Sequence, residues 1–301
     1  MRNITNAMRD KRGGRSIERG AIWAFTPVIA ILPFSLLALA AFWLPLAVLT
    51  SVPYWWVVVG FLLIGLSLFV RPVQVLALTP LLGARRPTSD EAAKLDPLWN
   101  QLAQSNDLPP NRYVVRVLPS SELNAFACGG HLVVVTSFAV NELSERQLQG
   151  VLAHELSHHL GLHTVAITVG HWLSTPVVLL ARIGFFMQNV AQAAADSFGR
   201  DSRAIATVGN AVAAVIRVVS WVFTAALRAS DALSNVVGHS SEFEADRRAI
   251  DMGFGPELAG ALRHVLAIGS TGRPIGWRAR LAASHPPART RVARIEALLR
   301  A

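Results

Sequence analysis

A chain of 301 residues that is 52% hydrophobic and only 16% charged carries too little charge for an ordinary soluble protein, and points to membrane segments. Its formal net charge of +9 does not argue for nucleic acid, because the basic residues bracket apolar runs, as the positive-inside rule expects. The single cysteine, Cys128, excludes an internal disulfide and suits a reducing compartment; beside Gly129 and Gly130 it reads as a small packing residue and not as a nucleophile.

In chain order, residues 1–20 form a basic tail (Arg2, Arg9, Lys11, Arg12, Arg15, Arg19), read as cytosolic and disordered. Residues 21–82 are read as a transmembrane hairpin. From Ala21 to Val70 there is no Asp, Glu, Lys, Arg or His. A crossing takes about 20 residues, so this run holds two, near 22–45 and 55–78. Thr50 to Pro53 break it, and Tyr54, Trp55 and Trp56 supply an interfacial aromatic belt. Arg71 snorkels to the boundary, and Arg85 and Arg86 mark the side to which the chain returns. Both flanks are basic and are assigned to the cytosol.

Residues 83–163 read as soluble: a helix over Ser89–Gln104, a strand over Tyr113–Leu118, then Asn124–Cys128, a Gly129-Gly130 turn and a strand over His131–Thr136. Residues 164–227 form a second apolar hairpin with a polar turn at Asp196–Arg203, expected to span the bilayer, with packing on the soluble domain as the alternative. Arg217 is expected to face the first hairpin or a polar cavity. Residues 228–301 are soluble again. A helix over Glu242–Met252, capped by Ser240 or Ser241, is followed by helices over Leu258–Ile268 and Arg289–Leu299.

The chemistry is concentrated after Ser144. Ser144 and Gln147 have capping-box spacing, and Leu148, Val151, Leu152 and Leu156 recur with helical period. On that helix His154, Glu155 and His158 have the spacing H-E-x-x-H. Residues four apart lie about 40° apart on one face, so both imidazoles can share one ion. Glu155, about 100° round from His154, is placed to take a proton from water at the ion. His159 is turned off the shared face. A third histidine ten residues after the first would fall on Thr164, which disfavours the metzincin pattern.

A catalytic zinc site has three protein ligands and an open position. The third is sought in Ser241-Glu-Phe-Glu-Ala-Asp246. Glu242 is the leading candidate, with His239 kept as an alternative. Asp246, one turn on, is positioned to hold a ligating imidazole by its other nitrogen. Glu244 points to the opposite side, towards solvent.

H-E-L-S-H together with E-F-E-A-D, preceded by N-A-F-A-C-G-G and followed by H-P-P, resembles the HtpX-like membrane zinc metallopeptidases, relatives of the heat-shock protease HtpX and of type I CAAX prenyl proteases. The two apolar hairpins resemble their four-span arrangement. The resemblance implies a mainly helical, α+β zincin-like protease domain with a small β-sheet, and about four spans. It implies a gluzincin site with one Zn2+ on His154, His158 and Glu242 and with Glu155 as base. It further suggests that Asn124, Ala125 and Phe126 lie on an edge strand that pairs with substrate backbone. His285, in the H-P-P motif, is carried over as a site residue, and Arg291 on the last helix as a weaker one. His285 and His239 are candidates for an oxyanion donor.

The expected activity is therefore that of a multi-pass zinc endopeptidase of the cell membrane, with a cytoplasmic catalytic domain. Its partners are protein or peptide substrates and the lipid bilayer, without nucleic acid. Two alternatives stand beside it. A prenyl-protein processing protease would need a large intramembrane chamber. A non-enzymatic membrane scaffold with structural zinc would need a fourth protein ligand.

Overall fold

The computed structural model describes residues 24–109, 111–161, 163–198, 203–268 and 287–300. The basic tail and His285 lie outside them. The first long helix, α1 (Thr26–Leu49), begins with proline in its first turn and carries Pro33 and Pro45 within it. It stops at Thr50, whose backbone is extended, and α2 (Tyr54–Ser67) returns. The aromatic residues at the bend hold it together: Trp43 Nε1 donates to the Val52 carbonyl at 2.8 Å, and Tyr54 donates its hydroxyl to Leu36 at 2.7 Å.

The second crossing is not one straight helix over 55–78. It breaks after Ser67, Val70 is extended, and the chain restarts as α3 (Arg71–Leu81) bent 78° away. Pro72 is the reason, since a residue without an N–H fits the first turn of a helix and not its interior. The 14 residues of α2 rise about 21 Å, short of the roughly 30 Å hydrocarbon core. Among the described residues, three helices are long and apolar enough to cross a membrane, or four if the bent pair counts as one span. A π-helical turn, Gln74–Leu78, lies within α3, and the buried Gln74 accepts the Gly130 N–H at 3.2 Å. Gly129 beside it sits at φ +63°, and a Cβ there would collide with the Gln74 amide.

Next come α4 (Ser89–Ser105) and a three-stranded mixed sheet, β1 (Val114–Leu118), β2 (Ala125–Cys128) and β3 (Leu132–Thr136), in the order β1-β3-β2. β3 pairs parallel with β1 and antiparallel with β2, so β2 is an edge. A short α5 (Ser137–Glu142) leads into α6 (Glu145–Leu160), whose capping box of Ser144 and Gln147 is complete. α6 crosses the sheet, with Leu148, Leu152 and Leu156 fully buried in the main core.

α7 (His163–Phe198, 36 residues) and α8 (Arg203–Asp251, 49 residues) then run antiparallel to each other and pack on α1. Ala195 meets Gly209, Gly184 meets Ser220 and His163 meets Ser241, equal steps along both helices, so one register holds from the far end to the catalytic side. Small residues set this close approach and leave no room for a guanidinium between the helices. Arg182 and Arg217 are accordingly exposed on the outer surface, and Arg217 does not face the first hairpin or a cavity.

The expected helix start at Ser240 or Ser241 is absent. Those hydroxyls donate back to the Val237 and Gly238 carbonyls, and α8 passes through them unbroken. At roughly 70 Å, α8 spans from the far side of the apolar hairpin to Asp251. The acidic motif is thus carried by a membrane-type helix and not by a separate one.

α9 (Gly255–Ile268) and α10 (Ala288–Arg300) close the core against α6. Gly150 is where α6 and the start of α9 touch: a Cβ at this position would stand 2.5 Å from the Leu258 nitrogen and 2.8 Å from the Glu257 carbonyl carbon. These are backbone atoms that cannot swing away. Gly150→Ala is expected to destabilise the fold by about 1–3 kcal/mol. Thermal unfolding of the detergent-solubilised protein checks this, and an unchanged midpoint would contradict the packing.

Candidate metal centre

Two elements far apart in sequence meet here. α6 brings His154, Glu155 and His158, and α8 brings Glu242 and Asp246, all buried to 6% exposure or less. His154 Nε2 lies 3.3 Å from His158 Nε2 and 3.3 Å from Glu242 Oε2, and His158 Nε2 lies 3.1 Å from Glu242 Oε1. Each of the three offers one ligand atom within 4.8 Å of the others.

Those separations fit a metal. Bonds of about 2.0–2.1 Å in a tetrahedron put neighbouring ligand atoms roughly 3.4 Å apart. Two imidazole Nε2 atoms and a carboxylate converge at that spacing, and the other ring nitrogen of His154 is held by Asp246. Among the described residues no fourth His, Cys, Asp or Glu joins the cluster. Three donors from the described residues are the number a catalytic zinc site takes from its protein.

The surroundings fix the orientation of His154. Its Nδ1 lies 3.0 Å from Asp246 Oδ1, which directs Nε2 at the ion position. Burial and the Arg291 charge favour the neutral ring, but the hydrogen bonds to Asp246 and Glu242 and the Glu242 charge outweigh them and leave its pKa at about 9. Asp246 in turn resists the upward pull of burial, and His154 and Arg291 hold its carboxyl below the ordinary range.

Arg291 is the residue that sequence reasoning ranked too low. It comes from α10 and is 6% exposed. It grips Asp246 with two bonds, Nε to Oδ2 at 3.0 Å and Nη2 to Oδ1 at 2.6 Å, and its Nη1 lies 3.3 Å from Glu242 Oε2. Burial opposes its charge; Asp246, Glu242 and Glu155 more than offset that. The signal was present in the sequence, since Arg291 shares the buried face of α10 with Val292 and Ile295 at helical spacing.

The other expectations divide. His159 faces away, as expected: its Nε2 lies 3.1 Å from the Leu132 carbonyl and its ring packs on Tyr113 at 4.7 Å. His163 stays near the site without joining it, its Nε2 2.9 Å from the Ser241 hydroxyl next to Glu242. His239 and Glu244 are exposed, and His239 is not part of the cluster.

Asn124 is bound to Thr136 at the start of β2. The side chains of Ala125 and Phe126 are buried in the two cores on opposite faces of the sheet, so neither is displayed to a ligand. What β2 presents outward is backbone. The Thr136 N–H points to the Asn124 carbonyl, so antiparallel alternation turns the N–H and C=O of Ala125 and Ala127 to the open edge. That edge lies beside α6.

Known proteins resemble this chain. The sequence profile of Peptidase family M48 matches residues 89–299. The chain is 26% identical over 237 residues to a "Protease HtpX homolog" of Salinibacter ruber, covering 71% of this chain and 77% of that one. It is 32% identical over 183 residues to "Protease HtpX homolog 1" of Streptomyces coelicolor, covering 58% and 54%. Among solved structures the fold is like that of S. mikatae Ste24p, with a TM-score of 0.50 at 18% identity over 88% of this chain and 62% of that one.

Proposed function

Because the chain belongs to peptidase family M48 and is a membrane metallopeptidase, we propose that it is a zinc-dependent endopeptidase that hydrolyses misfolded or membrane proteins at the cytosolic face. The observation that carries the reading is the convergence of two Nε2 atoms and the oxygens of one carboxylate at 3.1–3.3 Å.

His154, His158 and Glu242 would hold the ion. Zinc supplies a Lewis acid that polarises the scissile carbonyl and makes water acidic near neutral pH. Glu155, buried beside His154, takes the proton of the attacking water and delivers it to the leaving amine. Asp246 keeps the His154 ring in one tautomer. Arg291 places one positive charge between the two buried carboxylates of α8, one helical turn apart, and so reduces their repulsion. Substrate backbone adds to the free edge of β2 through Ala125 and Ala127, with the scissile bond carried along α6.

The catalytic half sits on the side of the bundle where the basic residues Arg71, Arg85 and Arg86 cluster, and this supports a cytosolic orientation in a cell membrane. A CAAX-type prenyl-protein processing protease is the second reading, kept by the fold likeness to Ste24p. It requires a large intramembrane chamber, and three or four apolar helices are few to enclose one.

Metal removal tests the proposal. Stripping the purified protein with a strong chelator is expected to abolish casein cleavage, and stoichiometric zinc to restore it. Cleavage that survives complete loss of metal would exclude the mechanism.

A further inference from the structure

Three arginines lie on the segments that join where the bent end of the first hairpin touches the sheet: Arg71 opens α3, Arg86 follows it and Arg116 is on β1. Arg85 and Val117 exchange both backbone hydrogen bonds, at 2.8 and 2.9 Å, as an antiparallel bridge. The next pair along is therefore Arg86 opposite Arg116. Val117 is buried in the main core, so alternation turns Arg116 to the other face of β1 together with Val114 and Leu118. That face is covered by the end of α3 and the turn after it, through Leu78, Leu82 and Ala84. Like charges opposite each other across a ladder are destabilising.

The cluster lacks its counter-charge. Arg85 is satisfied by Glu91, at 2.6 and 2.9 Å. Among the described residues no carboxylate forms an ion pair with Arg71, Arg86 or Arg116. Arg116 spends Nη1 on the Val115 carbonyl at 2.9 Å, and its Nε is buried without a hydrogen-bond partner. Burial, and then the charges of Arg86 and Arg71, push the Arg116 guanidinium below its ordinary value.

The position is at the end of the apolar hairpin. α2 reaches the catalytic side with Phe61 stacked on Trp172 at 4.8 Å, and α3 leaves it at 78°. Val70, Leu76 and Leu81, on the segment that carries Arg71, are 50%, 75% and 75% exposed. A free phosphate would answer the charges and leave these apolar side chains in water. A lipid answers both.

We propose that Arg71, Arg86 and Arg116 bind the phosphate of an anionic phospholipid in the leaflet beside the catalytic domain, while Val70, Leu76 and Leu81 rest on its acyl chains. The site also braces α3, whose Gln74 clamps the Gly129–Gly130 turn at the end of β2.

The test is thermal unfolding of the full chain in neutral detergent with added phosphatidylglycerol, phosphatidylcholine or inorganic phosphate. Phosphatidylglycerol is expected to stabilise at concentrations about a hundredfold lower than phosphatidylcholine, and inorganic phosphate at equal concentration is expected to do nothing. Each arginine changed to glutamine is expected to weaken the response about fivefold. R71Q/R86Q/R116Q is expected to erase the difference between the two lipids, and R182Q/R228Q, which alters exposed arginines elsewhere, to keep it. Should the triple variant not fold, R86Q, at an exposed position, reads the same fivefold loss. An undiminished response in the arginine variants, an equal loss in R182Q/R228Q, or equal stabilisation by inorganic phosphate would overturn the proposal.

Discussion

Glu155→Gln is expected to keep the metal and lower peptide hydrolysis by about 100- to 10,000-fold. The amide is the same size and fills the same buried position, so neither the fold nor the three ligand atoms should shift. What is lost is the ability to accept a proton from water. Zinc content, unfolding midpoint and cleavage of casein, measured on one preparation, separate these effects. Retained cleavage would remove Glu155 from the mechanism, and loss of zinc would make it a ligand.

Arg291→Met is expected to have the largest effect on stability. Arg291 is the cation between Asp246 and Glu242, and all three are buried. Methionine fills much of the volume and leaves two buried carboxylates without their guanidinium, a change that typically costs about 3–5 kcal/mol. The loss should be larger in chelated protein than in zinc-loaded protein, because a bound dication takes over part of the compensation. Unfolding midpoints with and without zinc measure both. An unchanged midpoint in the metal-free protein would show that Arg291 does not hold the site together.

The catalytic helix was legible because everything it needs is local. The Ser144–Gln147 box, the leucine spacing and H-E-x-x-H fall within twenty residues, and the structure reproduces the helix from Glu145 to Leu160. Glu242 was legible from the E-F-E-A-D motif, one helical turn before Asp246, and it lies 3.1 Å from His158. Arg291 was less so, since a lone arginine on an amphipathic helix reads as surface until the two acids it meets are known.

Two misreadings share a cause. Ser240 and Ser241 read as a cap because serine before an acid commonly starts a helix, yet a serine inside a helix can return its hydroxyl to the preceding turn, as both do here. The stretch 55–78 read as one span, yet Pro72 opens a new helix at 78° to the last. In each case hydropathy gave the apolar stretch correctly, and helix continuity was decided by hydrogen bonds that composition does not reveal.

The central claim is that His154, His158 and Glu242 surround a single zinc ion and leave one position open. X-ray absorption at the zinc edge on the purified full chain reads it most directly. Two imidazole nitrogens and light oxygen donors at about 2.0–2.1 Å, lost on mutation of Glu242 to Ala, is the expected result. A spectrum with a sulfur ligand, with a third imidazole, or unchanged by that mutation would contradict it.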